Sequence, residues 1–378
     1  MNKDYDIAVL GGGLAGLSVL YHLLKAGKLQ DQQVLLVDPE GRKSSHDRSW
    51  SFWEKGEGPF EELVYHSWES VTVHDQQRAI RTDLAPYSYK LIRSTEFYAH
   101  VNELIDAQPN IHRVQARAES IEPSAGHVNF TVANQAYQVN TAFSSLPLHL
   151  RPREIKQPYL DQHFRGWFIK TERDVFDPKV AALMDFRTPQ QNETRFFYVL
   201  PFSPTRAMVE IAIFSNEHLE TAEYDQLIGE YLEAHWLPGP YEIEHREDGN
   251  IPMTTYPFPR RDGNLIYIGL RGGAARPSTG YTFYGLQRQL RKLAEQHPGA
   301  VPAPWSRKDL LYDATILDIL QNNRLPGDQV FVDLFERNSA ERLLAFLNGE
   351  STFAQDLQVM ATTDITKFGA AFVRQAIK

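Results

Sequence analysis

The sequence contains no cysteine, which removes disulfides, thiol nucleophiles, cysteine-ligated zinc and iron–sulfur clusters from consideration. Redox chemistry would have to belong to a bound cofactor, and no metal site is expected. An apolar run long enough to span a membrane is also missing. Positive charge is scarce: 39 Lys and Arg face 48 Asp and Glu, a formal charge of −9, and no basic block stands out. Nucleic acid is therefore not an expected partner, and net charge does nothing to attract anionic lipid. A strand signal begins within a few residues of Met1, which leaves no space for a targeting peptide. The expected location is the cytoplasm, with attachment to a membrane at most peripheral.

What the chain does have is ample core material, 42% hydrophobic residues over 378 positions. That suits two lobes, or one large domain with an insertion. Its most informative stretch is the first: Tyr5-Asp-Ile-Ala-Val-Leu-Gly11-Gly12-Gly13-Leu14-Ala15-Gly16, a helical run, then Gln33-Val-Leu-Leu-Val37-Asp38. Ile7 to Leu10 read as a buried parallel strand and Leu14 to Ala26 as a helix with Leu17, Leu20 and Leu24 on one face. Gly11 permits the tight turn, Gly13 lets the backbone approach a pyrophosphate, and Gly16 lets the helix pack on the strand. Amides from Gly11 to Gly16 would meet the phosphates at the positive end of the helix dipole. Asp38, about twenty residues beyond the turn, would accept hydrogen bonds from a ribose diol.

Further along, Ser44-Ser-His46-Asp47-Arg48-Ser-Trp50-Ser-Phe52-Trp53 packs polar and aromatic residues into what reads as one loop. Trp50, Phe52 and Trp53 either pin that loop or face a flat, greasy ligand, where their rings could stabilise a cation. A strand over Ser88–Ile92 and a helix over Ser94–Ile105 meet at Arg93, which is assigned to the cofactor site. Short strands follow at Val128–Val132, Ala136–Val139 and Ala142–Leu146, the last closing the dinucleotide domain's sheet. A second glycine-rich turn then joins a strand at Leu265–Gly269 to a helix from about Tyr281, through Gly272, Gly273, Arg276, Pro277, Ser278, Thr279 and Gly280. Ser278 or Thr279 can cap that helix, and Gly269, Gly272, Gly273 and Gly280 allow close backbone approach to a ligand. Amides at such a terminus suit the pyrimidine edge of a flavin, which is negative when reduced.

Between these turns the pattern is strand-like. In Met208-Val-Glu210-Ile-Ala-Ile-Phe214, alternation puts Glu210 on the face shared by Met208, Ala212 and Phe214. Burial would keep this carboxyl protonated and fit it for general-acid work. Asp185, in Leu183-Met184-Asp185-Phe186, is its possible partner, a base, or a cap.

These motifs resemble those of the lycopene β-cyclases along almost the whole chain. The resemblance rests on His46-Asp47-Arg48-Ser49-Trp50-Ser51-Phe52-Trp53, Leu183-Met184-Asp185-Phe186, Met208-Val209-Glu210, Gly249-Asn250-Ile251-Pro252-Met253 and Pro277-Ser278-Thr279-Gly280-Tyr281, in that order. It implies a Rossmann-type α/β fold with a discontinuous FAD-binding domain (1–163 and 249–300), an inserted β-rich substrate lobe (164–248) and a helical C-terminal region (301–378). It also implies a non-redox cyclisation of a hydrophobic carotenoid that needs FAD in its reduced form, NAD(P)H as electron donor, and contact with a membrane. Glu210 would be the acid, Asp185 a shaping or proton-transfer residue, and Trp50 and Trp53 would stabilise a cation. The chain departs from the family at Arg276, where His is common, and at Phe143-Ser144-Ser145, where an Asp-Ala-Arg element is common.

A flavin monooxygenase or isoprenoid reductase would share the N-terminal site. Many flavin hydroxylases carry Gly-Asp where this chain has Gly269-Leu270, which weakens the hydroxylase reading and leaves a reductase open. A non-catalytic carotenoid carrier would have no use for a buried carboxyl, whose burial is costly unless something satisfies it.

Overall fold

The structure is a computed structural model that describes residues 5–43, 48–236 and 239–377. The chain opens on β1 (Ile7–Leu10), α1 (Leu14–Lys25) and β2 (Val34–Val37), followed by β3 (Ser49–Lys55), β4 (Val64–Trp68), β5 (Ser70–His74), β6 (Ala79–Asp83) and β7 (Tyr87–Arg93). Next come α2 (Ser94–Asp106), β8 (Ile111–Val114), β9 (Ala118–Pro123), β10 (Val128–Val132), β11 (Gln135–Val139) and β12 (Thr141–Ser144). Four strands follow, β13 (Tyr159–Thr171), β14 (Val180–Asp185), β15 (Thr194–Ser203) and β16 (Arg206–Ser215), then α3 (Thr221–His235) and β17 (Tyr241–Thr254). The chain finishes with β18 (Arg261–Asp262), β19 (Leu265–Tyr267), α4 (Phe283–Gln296), α5 (Arg307–Gln321), α6 (Gly327–Arg337), α7 (Ala340–Leu347), α8 (Phe353–Met360) and α9 (Ile365–Ala376).

The N-terminal strands build a mainly parallel sheet in the order β18-β19-β12-β1-β2-β8. β1 and β2 are wholly buried, in keeping with a sheet covered on both faces. Leu17, Leu20, Val101, Phe97, Leu286 and Leu290, from α1, α2 and α4, pack on one face. The β9–β11 meander covers the other with Val128, Phe130 and Tyr137. This is the Rossmann-type α/β arrangement expected. One detail differs: β12 does not close the sheet but sits beside β1, between it and β19.

The second sheet runs β17-β13-β16-β15-β14-β5-β6. Alternation sends Phe197, Val209, Ile211 and Ile213 to one face, under Tyr224, Ile228 and Leu232 of α3. The opposite face carries Phe196, Met208, Ala212 and Phe214 and is roofed by Trp53, Tyr89 and the helices α5 to α7. This sheet reaches beyond residues 164 and 248. β5 pairs in parallel with β14, which draws residues 70–83 into the sheet, and β17 continues in register with β13 to Thr254. Those pairings are tertiary, and local periodicity carries no trace of them.

β3, β7 and β4 form a small sheet between the two larger ones. Its lock is Lys90, only 3% exposed, whose Nζ donates to Gly56 O at 2.6 Å, Glu61 Oε2 at 2.5 Å and Glu54 Oε2 at 3.2 Å. Burial raises the pKa of Glu54, and Lys90 opposes that rise. Lys90→Met strands Glu54 in the interior, and removing one member of a buried pair costs about 3–5 kcal/mol. Urea denaturation should show a matching fall in midpoint.

Candidate active site

The two glycine turns meet at the carboxyl ends of the parallel strands. Gly11 stands at φ +107°, and a Cβ on Gly16 would lie 1.8 Å from Gly11 O, so α1 can seat on β1 only with glycine at both places. A Cβ on Gly13 meets nothing within 4 Å: the backbone here borders open space of the kind a pyrophosphate needs. No side chain caps α1, whose N-cap is Gly13, so the helix leads with the amides of Leu14 and Ala15. Asp38 is buried at the end of β2, where its carboxylate accepts from Gly12 N at 2.6 Å and Glu40 N at 2.8 Å. Gly269, at φ +65°, brings the second turn against α1, for its Cβ would lie 2.8 Å from that of Ala15. Gly272 and Gly273 continue a tight 3-10 turn, with Gly273 also left-handed.

The last turn departs from expectation. α4 begins at Phe283 with Thr282 at its N-cap, so Ser278 and Thr279 lie too far upstream to cap it. Ser278 instead hydrogen-bonds Asp313. Arg276, 1% exposed, donates from Nε to Asp313 Oδ1 at 3.0 Å and lies 4.8 Å from the Trp305 ring. Its amide and carbonyl close the turn through Tyr281 O and Gly280 N at 2.9 and 2.8 Å. Arg276 thus ties the turn to α5, and burial pushes Asp313 up to about 6 despite that neighbour.

Beside this turn lies a cavity lined by Trp50, Gln162, Phe164, Tyr198, Glu210, Glu247 and Tyr281, among others. Glu210 faces it from β16, on the side shared with Met208 and Phe214, as alternation predicts. Glu247 reaches it from β17. Both acids are in register with Gly166 of β13, one on each side. A Cβ on Gly166 would lie 3.3 Å from Glu210 Oε2 and 3.5 Å from Glu247 Cγ, so glycine leaves the gap over which the two side chains lean. Burial first, and the Glu247 charge second, hold the Glu210 pKa well above the usual carboxylate range. Tyr89, Tyr198 and Tyr281 roof the cavity, with Tyr89 and Tyr281 hydroxyls 2.9 Å apart and Tyr198 hydrogen-bonded to Tyr281. Burial keeps all three phenols protonated. Gln162 Oε1 finds no hydrogen-bond partner among the described residues, and a Cβ on Gly280 would lie 2.0 Å from it.

The remaining expected residues divide. Asp185 is on the wrong face: it ends β14 opposite Phe197, whose ring stacks on Tyr231 at 3.8 Å, whereas Glu210 lies opposite Tyr198 on the cavity side. Its carboxylate takes Arg187 Nη2 and Tyr231 OH, each at 2.5 Å. Burial would raise its pKa, but those bonds together hold it below the usual value. Asp185 is therefore no partner for Glu210. Trp50, Phe52 and Trp53 lie on strand β3 rather than in a loop, so they alternate. Trp50 and Phe52 turn to Phe283 at 5.9 and 4.8 Å, and Trp53 turns the other way to Tyr281 at 4.3 Å. Only Trp50 of the three lines the acid cavity. Arg93 pairs with Glu96 and lies 3.8 Å over the Tyr65 ring, away from the cavity lining. His46 and Asp47 lie outside the described residues.

Glu247 escaped sequence reading, although Ile243, His245, Glu247, Gly249 and Ile251 recur at every second position and could have marked an inward face.

The fold is shared with several solved proteins. A geranylgeranyl bacteriochlorophyll reductase-like protein from Thermoplasma acidophilum superposes with a TM-score of 0.61 over 98% of this chain and 99% of its own, at 14% identity. The p-nitrophenol 4-monooxygenase of Pseudomonas putida gives 0.55 over 99% and 98%, at 13% identity. The chain belongs to the lycopene cyclase protein family, whose pattern matches residues 6–376. It is 25% identical to the lycopene β-cyclase of Pantoea ananas over 307 residues, 75% of this chain and 72% of the relative. A lycopene β-cyclase from a Paracoccus species is 31% identical over 132 residues, 32% of each chain.

Asp185→Asn should lower stability by about 1.5–3 kcal/mol, the worth of a hydrogen bond to a charged group. Flavin content and turnover per folded molecule should stay unchanged, checked by denaturant titration beside pigment assays.

Proposed function

We propose that this chain is an FAD-dependent lycopene β-cyclase that converts ψ-ends to β-rings by acid catalysis, without net oxidation. The observation that carries the reading is Glu210, a buried carboxyl with a raised pKa that faces a cavity walled by aromatic rings. Family membership and the lycopene β-cyclase relatives support the same substrate class.

The residues fit FAD: the open space at Gly13, the turn enforced at Gly11 and Gly16, and the buried Asp38 match the needs of a dinucleotide. Gly11 to Gly16 would hold the pyrophosphate, Asp38 the ribose, and the 269–280 turn the ring system. When bound in its reduced form, with NAD(P)H as the source of electrons, FAD would add negative charge beside the cavity.

The chemistry then falls to the protein's own groups. Glu210 delivers a proton to C2 of the ψ-end, leaving a tertiary cation at C1. The C5–C6 double bond closes on it and shifts the charge to C5. Loss of the C6 proton restores the alkene as a β-ring, so one proton enters, one leaves, and the product is an isomer. Glu247, across Gly166 from Glu210, is placed to receive that proton. The faces of Trp50, Phe164, Tyr198 and Tyr281 suit the passing cation, and their bulk keeps water from capturing it. Asp185 takes no part. The substrate's insolubility in water implies peripheral contact with the inner face of the cell membrane.

Expression in a bacterium that accumulates lycopene, followed by pigment chromatography, tests the reading: β-carotene is the expected product. Unchanged lycopene beside folded, yellow protein would count against it. Glu210→Gln should lower turnover at least about 10²-fold, the scale of general-acid catalysis, with flavin retained. Because the folded Glu210 carboxyl has a raised pKa, it keeps its proton above the ordinary carboxylate range; the rate should fall as pH climbs through that raised value, and a rate that rises there would exclude Glu210 as the acid. Gly13→Val should fold, since nothing crowds that position, yet purify colourless.

A further inference from the structure

The acid cavity has an apolar neighbour, and that neighbour has another. A small cavity behind it shares Tyr198, Thr279 and Tyr281 with the acid site. The same small cavity shares Ser278, Phe331, Leu334 and Leu347 with a cleft of about 480 Å³ between α5, α6 and the last two helices, a size typical of ligand sites. The far wall of the cleft is Phe353, Leu357, Ile365, Phe368, Gly369 and Phe372.

The mouth of this cleft is where the protein's exposed apolar surface gathers. Among the described residues, the large hydrophobic side chains left exposed are Tyr65 and Leu270 elsewhere, and Phe353, Leu357, Ile365, Val373 and Ile377 here. Phe353 is 65% exposed, Ile365 70% and Ile377 80%. Phe353 and Leu357 are one turn apart on α8; Ile365, Gly369 and Val373 recur every fourth residue along α9, with Ile377 next in the series at its C-cap, so each helix presents a single stripe. Both helices are firmly built. Thr352 and Asp364 cap them through Gln355 N and Lys367 N, and Arg374 ties α9 to Asp318 of α5 at 2.9 Å. Exposed apolar surface on anchored helices, continuous with a greasy cleft, marks a surface that is covered in use.

We infer that the cleft between α5, α6, α8 and α9 is the inlet for a long, uncharged isoprenoid hydrocarbon, and that the stripes on α8 and α9 seat its mouth in the hydrocarbon edge of a lipid bilayer. This rests on the proposed reading of the substrate as a carotenoid. A membrane-dissolved polyene cannot cross water, so its path must open directly on lipid. The wall residues offer it apolar contact all the way to Ser278 and Thr279, with Tyr198 and Tyr281 standing between that point and Glu210. Net charge of −9 makes anionic lipid an unfavourable target, so seating depends on the apolar stripes alone.

The test uses the purified full chain and neutral phosphatidylcholine vesicles, with and without lycopene. The wild-type protein should float with the vesicles equally at about 0.1 M and about 1 M salt, since apolar seating is not screened. Replacing Phe353, Leu357, Ile365, Val373 and Ile377 together by Ser should lower the floating fraction at least about tenfold, because binding follows buried apolar area. Gly369→Trp, at a helical position with open space around its Cβ, should float normally but carry at least about tenfold less lycopene out of the vesicles if seating and uptake are separate steps. A wild-type protein left in the soluble fraction, a Ser variant that floats unchanged, or a Gly369→Trp variant with undiminished uptake would each overturn the inlet. Uptake that follows this pattern supports it whether or not the pigment is cyclised, and only the pigment's identity bears on the cyclase reading.

Discussion

A β-strand can send a side chain to only one of two faces, and in this protein both faces of the long sheet are covered. The α3 side is closed by Ile228 and Leu232, and the other by Trp53, Tyr89 and the C-terminal helices. Glu210 therefore cannot escape to water by rotating its strand, because the other face is closed by α3 and the same rotation would pull Met208, Ala212 and Phe214 out of their packing. The apolar packing of β16 forces a carboxyl into the interior, and the cavity, the raised pKa and the approach of Glu247 across Gly166 all follow. Asp185 shows the alternative on the same sheet: on the α3 face, Arg187 and Tyr231 satisfy it and leave it ionised and inert.

Around that constraint the two glycine turns act as a pair. Gly269 allows the second turn to touch Ala15 at the start of α1, so the two glycine turns, far apart in the chain, converge where the parallel strands stop, the usual place for a ligand in such sheets. Arg276 fixes one of them from behind through Asp313 and Trp305. Its Nε is engaged by Asp313 of α5 and its guanidinium lies beside the Trp305 ring, and Arg276 is not among the residues that line the acid cavity. Ser145 sits against Gly11, with Oγ donating to Leu10 O at 3.3 Å.

The helical tail covers the Glu210 face of the long sheet with α5 to α7 and leaves α8 and α9 with more apolar surface than the core can absorb. Packing explains Leu343 and Leu344, which are fully buried; it does not explain Ile365 or Ile377. That division within one region separates the residues that stabilise the fold from those that remain for a partner phase.

Local pattern by itself determined the strand–turn–helix–strand–acid unit at the N-terminus, the face on which Glu210 lies, and the dominance of strands between residues 164 and 247. Each is a statement about neighbours within a few positions, where period and glycine placement speak directly. Tertiary structure alone decided that β5 and β6 complete the seven-stranded sheet, that Trp50 and Trp53 look in opposite directions from β3, that Asp185 pairs with Arg187 and Tyr231, and that Glu247 joins Glu210. Those outcomes depend on which strands pair and in what register, and a pairing between β13 and β17 joins residues some eighty positions apart. Ladder hydrogen bonds are the same for any two strands, so burial of side chains on a shared face, a property of the assembled sheet, selects that partner and its register.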